Sequence, residues 1–452
     1  MNGKLPHTHL VAIPYPGRGH INPMMNLCKL LVAKHPNLTI TFIITEEWLT
    51  FLAPTPKPEA IVFKTIPNVI PSELIRGSIF VKFVRAVLSK MESPVEELLN
   101  RLEKEGEETV VTIVADTYLP WALEIGKRRN IPVVSLWPMS PSVYNIFYHF
   151  DLIIQNGHFP ADLSERGDEV VDYIPGISSM RLVDLPGIFF GNGKELMGEM
   201  LEIISCSKKA QSVICTSFEE LEPQVILTLK EILSMPVYSL GPSIPYPILD
   251  CRPNDNNDEY FKWLNVQPAN SVLYISLGSY LSVSREQMEE IVQGVCDSGV
   301  RYLWVARGDT LRIPECYGEM GMVVPWCEQL KVLCHSSVGG FWTHCGWNST
   351  LEGVYSGVPM LTFPIFSDQI TNSKLIVDDW KVGMRVKSVA RDMVVGRKEI
   401  CKIVKRFMGI NGDHGRGEMR RNASELKDTC RRALSKNGSL EANLEAFARD
   451  FL

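Results

Sequence analysis

Short β-branched runs alternate with longer segments of helical period along most of this chain: HLVAIPYP, then PMMNLCKLLVAK, then LTITFIIT. In the middle segment Met24, Leu27, Leu30 and Leu31 fall on one helix face, while both flanking runs are nearly continuous in apolar residues. Strands buried on both faces read this way, so the pattern predicts βαβ units and a mostly parallel sheet. The rhythm returns in EETVVTIVAD, PWALEIGKRR and IPVVSLW, and again in QSVICTS and PVYSLG. It breaks between Pro242 and Asp258, where Pro242, Pro245, Pro247 and Pro253 precede the polar run Asn254 to Asp258. Neither a helix nor a central strand tolerates that composition, which reads as a linker. A second series opens with SVLYISLGS and a helix capped by Ser284 and Gln287, whose apolar face is Met288, Ile291, Val292 and Val295, and RYLWVAR follows. The expected architecture is α/β: two facing Rossmann-like domains, residues 1–241 and 259–432, joined by a linker at 242–258. Ligands of such sheets bind outside the carboxyl ends of the strands, so the chemistry is expected in the cleft between the domains.

Charge and cysteine usage exclude several partners. Forty-six basic against fifty-two acidic residues give a net charge of −6, so no overall positive field draws nucleic acid or anionic lipid. The N-terminal apolar stretch, interrupted by Pro14 and Pro16, is too short for a signal core or a membrane span, and no segment approaches 18 apolar residues. Eleven cysteines without a C-x-x-C pair read as reduced, mostly buried thiols. A cytoplasmic monomer is expected, in which the sequons at Asn37, Asn348, Asn422 and Asn437 carry no weight.

The most informative stretch is WCEQLKVLCHSSVGGFWTHCGWNSTLEGVYSGVPMLTFPIFSDQ, from Trp326 to Gln369. GGFWTH reads as a strand end, Cys345 and Gly346 as a tight turn, and NSTLEGVYSGV as a short helix. Unpaired N–H groups at such a helix start favour phosphate, and His344, Asn348 and Ser349 could add donors. The competing reading is plain capping, since Ser349 with Glu352 matches S-x-x-E. The remainder of the stretch adds an aromatic, an amide and a carboxylate suited to a nucleotide sugar.

These 44 residues resemble the signature box of the plant family-1 UDP-dependent glycosyltransferases, and the similarity continues in PYPGRGHINP, VADTYLPWA, IPGISSMRLVDLP, FEELEP and ISLGS. The resemblance implies the GT-B arrangement, with the acceptor mainly on the first domain and UDP-sugar mainly on the second. It implies that Trp326 stacks on uracil, that Gln329 and Glu352 hold the ribose, and that His344, Asn348 and Ser349 contact the diphosphate. The same resemblance implies that Ser279 lies near the phosphates, that Asp368 and Gln369 grip the sugar, and that Cys327, Gly346 and Trp347 complete the donor-site set. A terminal Gln in this family usually accompanies glucose. The tail from 433 to 452, amphipathic through Leu440, Leu444 and Phe447, is implied to cross back onto the first domain. Two positions depart from the family pattern: Glu328 stands where the box usually has Pro, and Pro138 where many relatives have Thr or Ser.

Transfer of a sugar to a hydroxyl needs a base, and His20 in GRGHINP is the candidate, with Asp116 at the end of VVTIVAD as its partner. Pro23 is expected to help start the helix that follows. Taken alone, a His in a glycine loop is more often a turn residue and a strand-terminal Asp more often a cap; in the resembled family a matching His and Asp do the work, with inversion at the anomeric carbon. Gly17 and Gly19 suggest G-x-G-x-x-G, but Asn22 replaces the third glycine and an NAD fingerprint is incomplete. Cys327, Cys334, His335, His344 and Cys345 lack zinc spacing, and the chain has no Asp-x-Asp pair, so no metal or cofactor is expected. UDP-glucose and a small, partly apolar hydroxylated acceptor are the expected partners, with SVYNIFYHF and LPGIFF either lining its pocket or packing in the core. A nucleotide-sugar-binding protein without turnover is the alternative.

Overall fold

The computed structural model describes residues 8–54, 56–105, 109–246, 258–278, 283–306, 320–386, 394–409 and 415–452. In chain order its strands are β1 (Thr8–Ile13), β2 (Leu38–Thr45), β3 (Ile61–Ile66), β4 (Val110–Asp116), β5 (Val133–Trp137), β6 (Val170–Val171), β7 (Met180–Arg181), β8 (Ser212–Cys215), β9 (Val237–Ser239), β10 (Val272–Ser276), β11 (Arg301–Val305), β12 (Gly321–Val324), β13 (Val338–Thr343), β14 (Met360–Thr362) and β15 (Gly383–Arg385). Seven of them form a parallel sheet in the order β3-β2-β1-β4-β5-β8-β9, and six form a second in the order β12-β11-β10-β13-β14-β15. In both sheets the strand order reverses beside the first strand, between β1 and β4 and between β10 and β13, which creates a crevice at each carboxyl edge.

The two-sided burial read from the sequence is what the cores show. On β1, Leu10 and Ala12 face one layer with Met24, Leu27 and Leu31, while Val11 and Ile13 enter the other with Phe83 and Val87. On β10, Val272 and Tyr274 join one core and Leu273 and Ile275 the opposite one. Each such side chain contributes about 1.5–3 kcal/mol on burial, and a slip of one residue would exchange the layers.

Some details differ from the sequence expectation, while the last helix follows it. The helix after β1, α1, spans Arg18–Lys34, so Pro23 lies inside it and His20 in its first turn. Ser284 caps the helix Arg285–Ser298 through the Gln287 N–H at 3.2 Å, but the Gln287 amide turns to the Val395 backbone instead of closing a capping box. The last helix, Ser439–Phe451, packs Leu440, Leu444 and Phe447 on the first sheet, and Thr112 donates to the Phe451 carbonyl at 2.6 Å. Of the linker, residues 247–257 lie outside the described residues, while Ile244 already belongs to the second core. Eight described cysteines are free, but Cys296 is disulfide-bonded, so the reduced reading fails at that position. Among the described residues no helix is long and apolar enough to cross a membrane.

Candidate active site

Both strand-order reversals carry polar side chains. At the first, His20 sits in the opening turn of α1 and Asp116 ends β4. His20 Nδ1 and Asp116 Oδ2 are 2.9 Å apart, and Asp116 Oδ1 accepts the Tyr118 N–H at 2.9 Å. The Asp116 side chain is wholly buried, whereas that of His20 is 17% exposed, so the imidazole is anchored from below and reachable from the cleft. A carboxylate on Nδ1 keeps the proton there and leaves the Nε2 lone pair for an incoming group. Tyr15 and Tyr118 flank the ring, with centroids 4.7 and 5.2 Å away.

Pro23 has a second consequence. It has no N–H to give the carbonyl four residues back, which belongs to Gly19. That carbonyl instead accepts from the Asn348 amide at 3.2 Å, a bond from the second domain into the turn that holds His20.

At the second reversal, β13 ends at Thr343, and Cys345 takes a left-handed φ of 66° while its N–H is held by Thr343 Oγ1. The helix Trp347–Ser356 follows, with Gly346 as its N-cap and no side chain capping it. Ser349 is therefore inside the helix and the S-x-x-E pair is not a capping box; the first N–H groups remain available to an anion. His344 lies between two glycines: a Cβ at Gly278 or Gly346 would come within 2.9 or 2.5 Å of its Nε2. Burial lowers its pKa to about 4, which makes it a neutral donor, and its Nδ1 has no partner among the described residues.

Gln329 organises the next part. Its amide nitrogen donates to Ser349 Oγ at 3.0 Å and Glu352 Oε2 at 2.6 Å, and its oxygen accepts from Tyr274 at 3.1 Å. Burial raises the Glu352 carboxyl to about 7. Trp326 is 57% exposed, a large free aromatic face beside this network. The side chains of Cys327 and Trp347 are not at the surface: both are buried in the second core, Cys327 against the Tyr274 hydroxyl at 3.3 Å. Ser279 lies outside the described residues.

Asp368 accepts from the Asn372 amide at 2.8 Å, and burial raises its carboxyl to about 6 with the nearby His20 opposing. The Gln369 oxygen is held by the Ile365 and Phe366 N–H groups at 2.9 and 3.0 Å, which leaves its amide nitrogen as the free donor. The zinc candidates do not converge: His335 is held by Ser337 and Asn265, and no group of three metal-ligating side chains occurs among the described residues. SVYNIFYHF and LPGIFF are core: Phe147 and Phe150 pack on Phe189, each with ring centroids 5.4 Å away.

Residues 244–396 match the family model "UDP-glucoronosyl and UDP-glucosyl transferase". UDP-glycosyltransferase 87A2 of Arabidopsis thaliana is 51% identical over 443 residues, covering 98% of this chain and 96% of its own. The chain belongs to the plant family-1 UDP-dependent glycosyltransferases. Two solved UDP-glycosyltransferases share the fold of this one. Phytolacca americana UGT2, complexed with UDP-2fluoro-glucose and pterostilbene, is 26% identical with a TM-score of 0.83, covering 98% of this chain and 99% of its own. Medicago truncatula UGT71G1, complexed with UDP-glucose, is 27% identical with a TM-score of 0.80, covering 98% of each chain.

In this UDP-glycosyltransferase the two facing domains form the GT-B fold, and its two departures from the family box are structurally mild. Glu328 has φ −76°, within the range a proline would impose, and its charge is paired with Lys331 at 2.7 Å. Pro138 follows β5 and is buried, and its hydrocarbon ring, with no hydroxyl or N–H, offers no donor. Two contributors were missed from sequence. Asn372 bridges Asp368 and the Cys345 carbonyl, at 2.8 and 2.9 Å; an Asn four residues after Asp368 on a helix was its signal. Arg76, buried under the turn of His20, donates to the Pro16 carbonyl at 3.4 Å and pairs with Glu73 at 3.1 Å; no local pattern announces it.

Proposed function

We propose that this glycosyltransferase moves glucose from UDP-glucose, with inversion, to a hydroxyl or carboxyl group of a small, partly apolar acceptor. The observation that supports the reading is the bond from the Asn348 amide to the Gly19 carbonyl at 3.2 Å, which joins the first turn of the helix Trp347–Ser356 to the turn that carries His20. His20 Nε2 takes the acceptor proton as the acceptor oxygen bonds to the anomeric carbon, and the bond from that carbon to the UDP oxygen breaks on the opposite face. Asp116 holds the tautomer and stabilises the imidazolium that forms. The departing diphosphate is met by the N–H groups opening Trp347–Ser356 with His344, Asn348 and Ser349, neutral donors that need no metal. Trp326 stacks on uracil, Gln329 and Glu352 hold the ribose, and Asp368 with the free Gln369 amide holds the hexose. The sugars bound in the Phytolacca and Medicago proteins, and the terminal Gln369, support glucose.

The test is a mass-spectrometric screen of mixed phenols, alcohols and carboxylic acids with UDP-glucose, UDP-galactose and UDP-glucuronate. Glucosides are expected, and His20→Ala is expected to lower turnover by about 10²–10⁴ with UDP affinity unchanged. Unchanged turnover removes the base assignment, and UDP binding without any product supports the binding-only alternative.

A further inference from the structure

The stretch IPGISSMRLVDLPG, which neither the base nor the phosphate site uses, lies on the seam between the domains. Its backbone and side chains grip the segment that carries Asp368 and Gln369 at three successive points. The Gly187 N–H donates to the Ser367 carbonyl at 2.9 Å, Thr371 Oγ1 donates to the Asp184 carbonyl at 2.9 Å, and Lys374 Nζ donates to Ser178. Thr371 and Lys374 are 1% and 2% exposed, and Lys374 is neutralised by Asp379 at 2.7 Å, so these are buried, satisfied contacts and not surface encounters. The gripped segment is also tied within its own domain, by Asn372 to the Cys345 carbonyl at 2.9 Å and by Ser373 to Thr362 at 2.8 Å, but it opens on a left-handed Ser367 at φ 54° without a side-chain cap at Asp368, and the Gly187 bond holds it at that opening. A cavity of about 520 Å³ borders the seam, but the charges of Arg181, Arg385, Asp184 and Asp378 that line it pair with one another, which marks a structural joint.

We propose that Thr371 and Lys374 are positioning residues through which the first domain's Ser178–Gly187 segment sets the Asp368–Gln369 loop against the hexose. The inference rests on the reading above that Asp368 and Gln369 hold the sugar. Its physical basis is that hydrogen bonds to a sugar tolerate little displacement, so a loop seated by the opposite domain grips the hexose only when that domain is docked. UDP, held at Trp326, Gln329 and the helix start, meets the gripped helix through Asn372, whose amide reaches the Cys345 carbonyl at 2.9 Å, whereas Asp368 and Gln369 lie on that segment itself, so the hexose contacts are expected to feel the seam more than UDP does.

Thr371→Val keeps the shape and removes the donor. KM for UDP-glucose is expected to rise about three- to tenfold while the Kd for UDP stays within about twofold, and Thr371→Ser is expected to restore KM. Equal weakening of UDP and UDP-glucose, or unchanged kinetics, overturns the proposal. Should Thr371→Val not fold, Lys374→Met is measured in the same way and judged by the same split. Asp368→Asn separates the two layers of the argument. If it leaves UDP-glucose kinetics unchanged, the sugar reading fails and the seam proposal with it; if it raises KM while Thr371→Val does not, the seam proposal alone fails.

Discussion

His344 illustrates how a single side chain's environment decides its chemistry. Enclosed by Gly278 and Gly346 and held at a pKa of about 4 by burial, it stays neutral across the working pH range. In the proposed role it would offer a diphosphate a hydrogen bond without the desolvation cost of a buried cation. A hydrogen bond to a charged group is worth about 1.5–3 kcal/mol, so His344→Ala should weaken UDP binding by about 10- to 100-fold in calorimetric titration. An unaltered affinity would end its phosphate assignment. At this scale the sequence was legible where chemistry and position coincide, as for the pairing of His20 with Asp116 at 2.9 Å, and ambiguous where one motif has two uses. Ser349 and Glu352 matched a cap, and only the start of the helix at Gly346 shows that they serve Gln329 instead. Cys327 and Trp347 stand in the box but turn inward: Cys327, in the loop between β12 and the helix Gln329–Leu333, packs against the Tyr274 hydroxyl, and Trp347 enters the second core from the first turn of its helix.

Elements were read more securely than their ends. The βα rhythm gave both sheets because parallel strands bury both faces, a property written into consecutive residues. Where α1 begins was not legible, since proline is at home in a first turn and nothing local shows that the helix starts five residues before it, at Arg18. The consequence is functional: Pro23 costs the helix a hydrogen bond and thereby frees the Gly19 carbonyl for Asn348. Pro23→Ala should return that carbonyl to its own helix. The variant is expected to gain about 1–3 kcal/mol of helix stability, seen as a higher thermal midpoint, yet to lose several-fold in turnover as the base turn and phosphate loop uncouple. In the Asn348→Ala background the same substitution should change turnover little, because the bond it breaks is already gone. Additive losses would show that Pro23 acts by some other route.

The whole molecule stores unusual protons. Burial raises the carboxyls of Glu73, Glu222 and Glu352 each to about 7 from an ordinary value of 4.5, in three separate places in the two domains. The folded chain therefore keeps protons that the unfolded chain has already released, so each group makes stability fall as pH rises through that interval. His344 works in the opposite sense, because its folded value of about 4 lies below the ordinary 6.5, and stability rises with pH between those limits. The carboxylates lowered by arginine and lysine partners, such as Glu96 and Glu219, change stability only at acid pH, below their ordinary 4.5. Above pH 6.5 the raised glutamates are opposed only by the remaining protonation of the unfolded histidines, since His149 and His335 are lowered by burial as His344 is, and that opposition fades by about pH 7.5. The thermal midpoint of the ligand-free protein should then decline by about 1–2 °C between pH 6.5 and 8, measured by differential scanning calorimetry at fixed ionic strength. Glu352→Gln should flatten the slope, since the amide keeps the geometry near Gln329 but has no proton to lose. A midpoint that rises over this interval, or a slope that the substitution leaves intact, would mean that the carboxyl is ionised in the folded chain and that water reaches it.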